Sequence, residues 1–280
     1  MKIAVLSGKG GAGKTFVSVN LAVAAGNATY IDCDVEEPNG RLFLKPQGIT
    51  SQPVFTVQPA IDGDKCIGCR KCVEFCRFNA LVFVKKKPLV FPEVCHSCGL
   101  CSLVCPAGAI HDEQRPVGVV ETGKYKNVTV VTGELNPGEA SSIPVEKAAM
   151  ATGFAGENDT VVIDCPPGSA CSVMESVDEA DYCVLVAEPT AFGLHNLEMV
   201  YELVTLLGKP CGVVINKQDA PYAPLEEFFQ SRGVHVLERL GYDWDIARLT
   251  SAGEIASEHL PEVREKFRRL LETIRQEVGQ

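Results

Sequence analysis

Short runs of consecutive apolar residues recur along this chain, separated by stretches of helical period. Ile3–Ser7, Ala28–Cys33, Val128–Thr132, Val161–Asp164, Tyr182–Ala187, Gly212–Ile215 and Val234–Leu237 read as strands. They carry apolar residues on both faces, as strands do inside a sheet covered on both sides. Lys14–Ala25, Leu194–Leu207 and Leu225–Arg232 read as helices between them. Strands alternating with helices predict an α/β fold on a doubly wound, mostly parallel sheet. Near the C-terminus Val263, Phe267, Leu270, Leu271, Ile274 and Val278 form one apolar helical face. The five basic and four acidic residues between 261 and 280 suit anionic lipid poorly, so this face is expected to pack on the sheet.

One segment breaks the pattern. Cys66-x₂-Cys69-x₂-Cys72-x₃-Cys76 is followed by Cys95-x₂-Cys98-x₂-Cys101-x₃-Cys105-Pro106. The edges of this segment lie near Gln58–Pro59 and His111–Pro116. The expected division is therefore an α/β domain of residues 1–57 and 112–280, interrupted by a small domain at 58–111. Too short to bury much of a core, the insert needs its ligands as staples. It also repeats internally: Phe78-Asn-Ala-Leu matches Ala107-Gly-Ala-Ile.

Two such runs have the spacing of two [4Fe–4S] clusters, in which the fourth cysteine of each run ligates the other cluster. One cluster would take Cys66, Cys69, Cys72 and Cys105, and the other Cys95, Cys98, Cys101 and Cys76. Arg77 stands where the first run would carry proline, which touches turn geometry and removes no ligand. Structural zinc is the alternative, but it uses four ligands in two pairs and leaves the third and fourth cysteines of each run unexplained. Lys85-Lys86-Lys87 lies between the halves, either as a solvated hairpin tip or as a site for an acidic redox partner.

The first strand runs into Gly8-Lys-Gly-Gly-Ala-Gly-Lys-Thr15, which satisfies the Walker A pattern. Gly8, Gly10, Gly11, Ala12, Gly13 and the helix start through Phe16 would wrap backbone N–H groups around phosphate. Lys14 would neutralise the β- and γ-phosphates and Thr15 would ligate Mg²⁺. Lys9 adds a second lysine early in the loop. With it, the chain resembles the deviant Walker A ATPases of the MinD/ParA/Mrp and nitrogenase-iron-protein superfamily. Ile31-Asp-Cys-Asp34 resembles that family's switch I, and Val161-Val-Ile-Asp-Cys-Pro-Pro-Gly168 its Walker B and switch II. Val213-Val-Ile-Asn-Lys217 resembles the strand whose asparagine contacts the base.

The resemblance implies that Lys9 reaches the nucleotide of the opposing subunit and that Asp34 orients the attacking water. It further implies that Asp164 holds Mg²⁺ through water and that Asn216 reads adenine. Asp32, Glu36 and Glu37 compete with Asp34 for its role. Asn216-Lys217-x-Asp219 also fits the guanine pattern N-K-x-D, so ATP is favoured with GTP open. Of the remaining cysteines, Cys33, Cys165, Cys183 and Cys211 read as small buried hydrophobes. Cys171 lies near a helix start, at the offset where the nitrogenase iron protein places a ligand to a cluster shared across its dimer. The stretch matching its second ligand, residues 133–142, has no cysteine. Cys171 is thus expected to be a structural or redox-responsive thiol.

The chain is acidic, with a formal net charge of −10, so no nucleic-acid partner is expected. No apolar run approaches a membrane span, and the strand at the N-terminus leaves no room for a signal peptide, so a cytoplasmic location is expected. Together these features imply a slow Mg²⁺-dependent ATPase holding ATP and two [4Fe–4S] clusters. It would dimerise with itself or a paralogue on ATP binding and pass electrons, or an Fe–S or metal cofactor, to a partner protein. The alternative is a positioning ATPase of the MinD/ParA kind in which the clusters are structural.

Overall fold

A computed structural model of the chain describes residues 1–156, 158–169 and 171–279, with the backbone but not the side chain of Cys171. Strand β1 (Lys2–Leu6) leads through the glycine-rich loop into α1 (Lys14–Ala25), followed by β2 (Ala28–Asp32) and the short α2 (Gly40–Leu44). A long strand, β3 (Gln47–Ile61), then runs out into the cysteine-rich segment. That segment contains α3 (Lys71–Phe75), a hairpin of β4 (Leu81–Val84) and β5 (Lys87–Val90), and α4 (Leu100–Leu103). The chain returns along β6 (Ile110–Tyr125). It continues with β7 (Val128–Leu135), α5 (Ile143–Phe154), β8 (Thr160–Asp164), α6 (Cys171–Asp178), β9 (Tyr182–Ala187) and α7 (Ala191–Leu206). The last elements are β10 (Cys211–Gln218), α8 (Ala223–Arg232), β11 (Val236–Gly241), α9 (Trp244–Ser251), α10 (Ala256–His259) and α11 (Pro261–Val278).

Nine strands form one sheet in the order β11-β10-β9-β1-β8-β2-β7-β6-β3. From β11 to β7 all neighbours are parallel. The two outer strands pair antiparallel, β6 on β7 and β3 on β6. β1, β2, β8 and β9 are buried along almost their whole length, which explains their continuous apolar runs. One core layer joins α1 and α11 to one face of the sheet. A second joins α5, α6, α7 and α8 to the other.

The apolar face of the C-terminal helix packs into the core layer on the α1 side of the sheet, as expected of it. Val263, Phe267, Leu270, Leu271 and Ile274 are buried among α1, α10 and the sheet, and the Phe267 ring meets Phe16 of α1 edge-on with centroids 5.9 Å apart. Cys211 differs from the expectation, being only partly buried, while Cys33, Cys165 and Cys183 are buried as expected.

The β3–β6 ribbon is the main departure from the sequence reading. Its strands run without a break through the positions where the composition changes: Gln58 pairs with Glu113 and Pro59 with Asp112. Pro53 and Pro59 are tolerated because β3 is an edge strand, and Pro116 sits beside a register shift opposite Val54 and Phe55.

Candidate functional site

The phosphate loop is built on close backbone approaches. Gly13 precedes α1 with φ of 97°, a region open to glycine and costly for other residues. A side chain there would also collide with the Asn216 amide, and one at Gly8 would collide with the Asn196 carbonyl of α7. Asn216 Nδ2 donates to the Ala12 carbonyl at 2.9 Å, and Lys217 Nζ donates to the Gly11 carbonyl at 2.7 Å. The end of β10 therefore buttresses the loop, with Asn216 buried beneath it. Gly8 and Ala12 lie on this supporting side. Lys9, Gly10, Gly11, Gly13, Lys14, Thr15 and Phe16 line a cleft of about 720 Å³ in front of it, whose far wall includes Asp34.

Lys14 is almost fully buried. Its Nζ donates to Asp164 Oδ1 at 2.8 Å and lies 3.4 Å from Asp34 Oδ2. Burial alone would discharge this lysine, but the carboxylates of Asp164 and Asp34 outweigh it and hold its pKa above the usual lysine value. The Tyr30 hydroxyl donates to the other Asp164 oxygen at 2.9 Å. Asp34 is pushed up by burial, against the pull of Lys14.

Of the acidic residues that compete with Asp34 in the loop after β2, Asp32 has a separate task. It is fully buried, accepting from the Asp34 N–H at 3.2 Å and the Gly40 N–H at 2.8 Å. It thus shapes the loop that presents Asp34. Glu36 and Glu37 are exposed. Of these carboxylates, Asp34 is the one that meets Lys14.

Two acidic residues escaped the sequence reading. Glu188, at the end of β9, accepts from Lys9 Nζ at 2.6 Å and from Lys217 Nζ at 2.7 Å. Burial opposes its ionisation, and the two lysines outweigh that cost and lower its pKa. Lys9 is thereby held against its own subunit. Glu146 of α5 also lines the cleft. It is fully buried, and among the described residues neither carboxylate oxygen has a hydrogen-bond partner. Burial pushes its carboxyl up to about 7. No local motif marks either residue, because both roles arise from contacts between distant segments.

The cysteine segment gathers its thiols in the crossed pattern. Cys66, Cys69, Cys72 and Cys105 line one cavity; Cys76, Cys95, Cys98 and Cys101 line another. The internal repeat extends to the backbone. Left-handed residues recur as Gly68 and Ser97, Arg70 and Gly99, and Asn79 and Gly108. The Ala80 N–H donates to Cys76 Sγ and the Ala109 N–H to Cys105 Sγ, each at 3.3 Å. Four thiols around a shared cavity, with backbone N–H groups turned onto sulfur, suit a cluster of several iron atoms. Among the described residues, no three His, Cys, Asp or Glu side chains converge on a single-ion site. Ser97 anchors the second thiol loop to β3, its hydroxyl lying 2.6 Å from the Val57 carbonyl and 2.8 Å from Thr56 Oγ1. The backbone of Cys171 begins α6; its thiol, with the role considered for it, lies outside the described residues.

Fold and thiol sites define the class: a MinD-type P-loop fold carrying an inserted iron–sulfur domain. Residues 59–111 match the 4Fe–4S dicluster domain family. The whole chain superposes on the septum site-determining protein MinD complexed with Mg-ADP from Pyrococcus horikoshii. The TM-score is 0.61 at 19% identity, covering 98% of this chain and 95% of that one. Two uncharacterized proteins of Methanocaldococcus jannaschii are similar in sequence. MJ0578 is 26% identical over 99% of this chain and 97% of its own length, and MJ0579 is 27% identical over 78% and 80%. Among the described residues, no helix is long and apolar enough to cross a membrane.

Proposed function

We propose that this protein is an ATP-driven iron–sulfur protein whose nucleotide state controls electron transfer, or Fe–S or metal-cofactor delivery, to a partner protein. The observation that carries this reading is the contact between switch I and the ribbon. Val35, next to Asp34, packs with Val117 of β6 and Val145 of α5 in a small buried cluster. Its carbonyl accepts from the Leu135 N–H at 2.9 Å, while the Asn136 N–H donates to the Val117 carbonyl at 2.9 Å. Arg115, also on β6, forms a bidentate pair with Glu139 and reaches the Pro92 carbonyl of the insert at 3.2 Å. Any repositioning of Asp34 and Val35 thus bears on the strand that leads back from the thiol segment, and loops ordered by a γ-phosphate are a known bistable device.

In this scheme residues 1–57 and 112–280 bind Mg-ATP and residues 58–111 hold two [4Fe–4S] clusters. Lys14 leaves its two carboxylates to meet the β- and γ-phosphates. Thr15 ligates Mg²⁺, and Asp164 reaches it through water. Asp34 orients the attacking water, so that hydrolysis rests on positioning and charge. Asn216 reads the adenine base. Lys9 serves the opposing subunit of an ATP-bound dimer, formed with a second copy or a paralogue, in the cytoplasm. Each cluster supplies one-electron transfer when bound. The test is an anaerobic redox titration with and without Mg-ATP, beside measurement of oligomeric state. A nucleotide-dependent shift in potential or transfer rate is expected, diminished by Val117→Ala. Unchanged potentials, rates and assembly would overturn this reading in favour of a positioning ATPase with structural clusters.

A further inference from the structure

The two thiol sites share a backbone and differ in charge. Residues 59–111 carry seven Lys and Arg against four Asp and Glu, within a chain of net charge −10. The basic residues all precede Pro88. Arg70 lines the first thiol cavity and Asp112 the second. Hairpin β4–β5 brings further charge to the first. A Cβ at Gly68, in the turn between Cys66 and Cys69, would stand 3.3 Å from the Lys86 carbonyl. The Arg70 guanidinium lies 4.5 Å from the Phe83 ring centroid. Arg70, Lys71, Lys85, Lys86 and Lys87 are thereby collected on the side of the insert where Cys69 is exposed.

Two observations separate this rim from an ordinary solvated charge run. Lys65 is paired with Asp62 at 3.1 Å, but among the described residues those five side chains have no carboxylate within ion-pair distance. The turn itself is the second. Val84 pairs with Lys87, leaving a two-residue loop in which Lys85 and Lys86 have φ of 47° and 70°. Asn and Gly suit such a turn and lysine does not. Turn geometry therefore gives no reason for lysine at either position.

We propose that this rim docks a small acidic, ferredoxin-like electron carrier beside the cluster held by Cys66, Cys69, Cys72 and Cys105. The inference rests on the electron-transfer reading above and deepens it. One electron leaves the carrier's reduced iron–sulfur group and one enters the chain's first cluster; no bond or proton changes place. The acidic remainder of the chain repels an acidic carrier while the rim attracts it, which orients the encounter and speeds association.

The test is stopped-flow reduction of oxidised holoprotein by a reduced, acidic plant-type [2Fe–2S] ferredoxin, and separately by the methyl viologen radical cation, across a range of ionic strength. The ferredoxin rate should fall steeply with salt. Joint Lys85→Glu, Lys86→Glu and Lys87→Glu substitution should slow it about tenfold at low salt and flatten the salt dependence, without slowing viologen. The corresponding three glutamine substitutions should fall between, with iron content unchanged in both variants. Arg232→Glu with Arg269→Glu and Arg275→Glu makes the same charge change at exposed positions far along the chain and should leave the ferredoxin rate near that of the parent. Binding of the oxidised ferredoxin, followed by calorimetry, should weaken in parallel. Ferredoxin rates indifferent to the lysines, or equally slowed by the arginine control, would overturn the docking face while leaving viologen reduction intact. Clusters that viologen cannot reduce would instead overturn the electron-transfer reading itself.

Discussion

The α/β body and the cysteine insert are held together by different forces. In the body, β1, β8 and β9 are buried between two helical layers, and burial of apolar surface is the main cohesive term. Between residues 62 and 108, the buried hydrophobic side chains are Cys72, Ala80 and Leu81. Eight large ones, from Ile67 to Leu103, are exposed. Such a segment cannot offset the entropy of ordering its chain by burial alone. Its repeated turns gather the thiols around two cavities, so its cohesion is expected to come from what those thiols bind. One chain thus combines a part expected to fold on its own with a part expected to fold around its ligand.

Removing iron should break the two regions apart, and this is the largest expected effect. Anaerobic chelation should abolish hydrogen-exchange protection across residues 62–108 and open them to protease, while the central sheet keeps its protection. Loss of protection in β1 and β8 together with the insert would show the division to be false. Cys105→Ser sharpens the same point. It should damage the cluster of Cys66, Cys69 and Cys72 and spare that of Cys95, Cys98 and Cys101, as seen by electron paramagnetic resonance. Damage confined to the second cluster would refute the crossed arrangement.

The nucleotide cleft gives the next largest effect, and it should leave the insert untouched. Lys14→Ala should reduce Mg-ATP affinity or turnover by about 10²-fold or more, while the iron content stays at the parental level. The same change leaves the buried Asp164 and Asp34 carboxylates without their cation, which costs on the order of 3 kcal/mol of stability. Denaturant titration beside nucleotide calorimetry separates the two effects. Retention of full ATPase activity would remove Lys14 from its assigned place.

Glu146 tests the body through pH. Its carboxyl is pushed up to about 7 from an ordinary 4.5. Between those values the folded protein holds a proton that the unfolded chain has released. The group's favourable contribution is therefore complete below about pH 4.5 and is lost as pH rises through 7. Glu146→Gln keeps the shape and removes the titration. The variant should gain stability over the parent as pH rises from 5 to 8, by at most about 3 kcal/mol. A difference that does not change with pH would mean that Glu146 is ionised and satisfied throughout.

What the sequence could reveal divides along physical lines. Strands such as Tyr182–Ala187 and the helix Lys14–Ala25 were legible because burial on both faces leaves unbroken apolar runs, and because a helix after a glycine loop has a clear start. The ribbon was not. β3 is exposed along its first seven residues and contains Pro53 and Pro59, so its sequence lacks a strand's composition; its pairing with the distant β6 forms it. The thiol sets were legible from spacing, since cluster ligands are close in sequence. Tyr30, Glu146 and Glu188 were not, since their partners or surroundings come from segments far along the chain.

The smallest expected effect concerns Lys9, where the body must change its own contacts to act as a dimer. Lys9 Nζ is now 2.6 Å from Glu188, which also holds Lys217, and a lysine cannot serve the opposing subunit while so engaged. Glu188→Gln removes the charge that retains it. The pair is only partly exposed, and such a contact is worth about 1 kcal/mol, so the ATP-dependent dimer should tighten roughly fivefold. Analytical ultracentrifugation with Mg-ATP and Asp34→Ala as a background that slows hydrolysis reads this directly. Lys9→Ala in the same background should instead prevent the dimer. If Glu188→Gln leaves association unchanged while Lys9→Ala abolishes it, the contact between Lys9 and Glu188 persists in the dimer. Lys9 then acts by shaping its own loop rather than by crossing the interface.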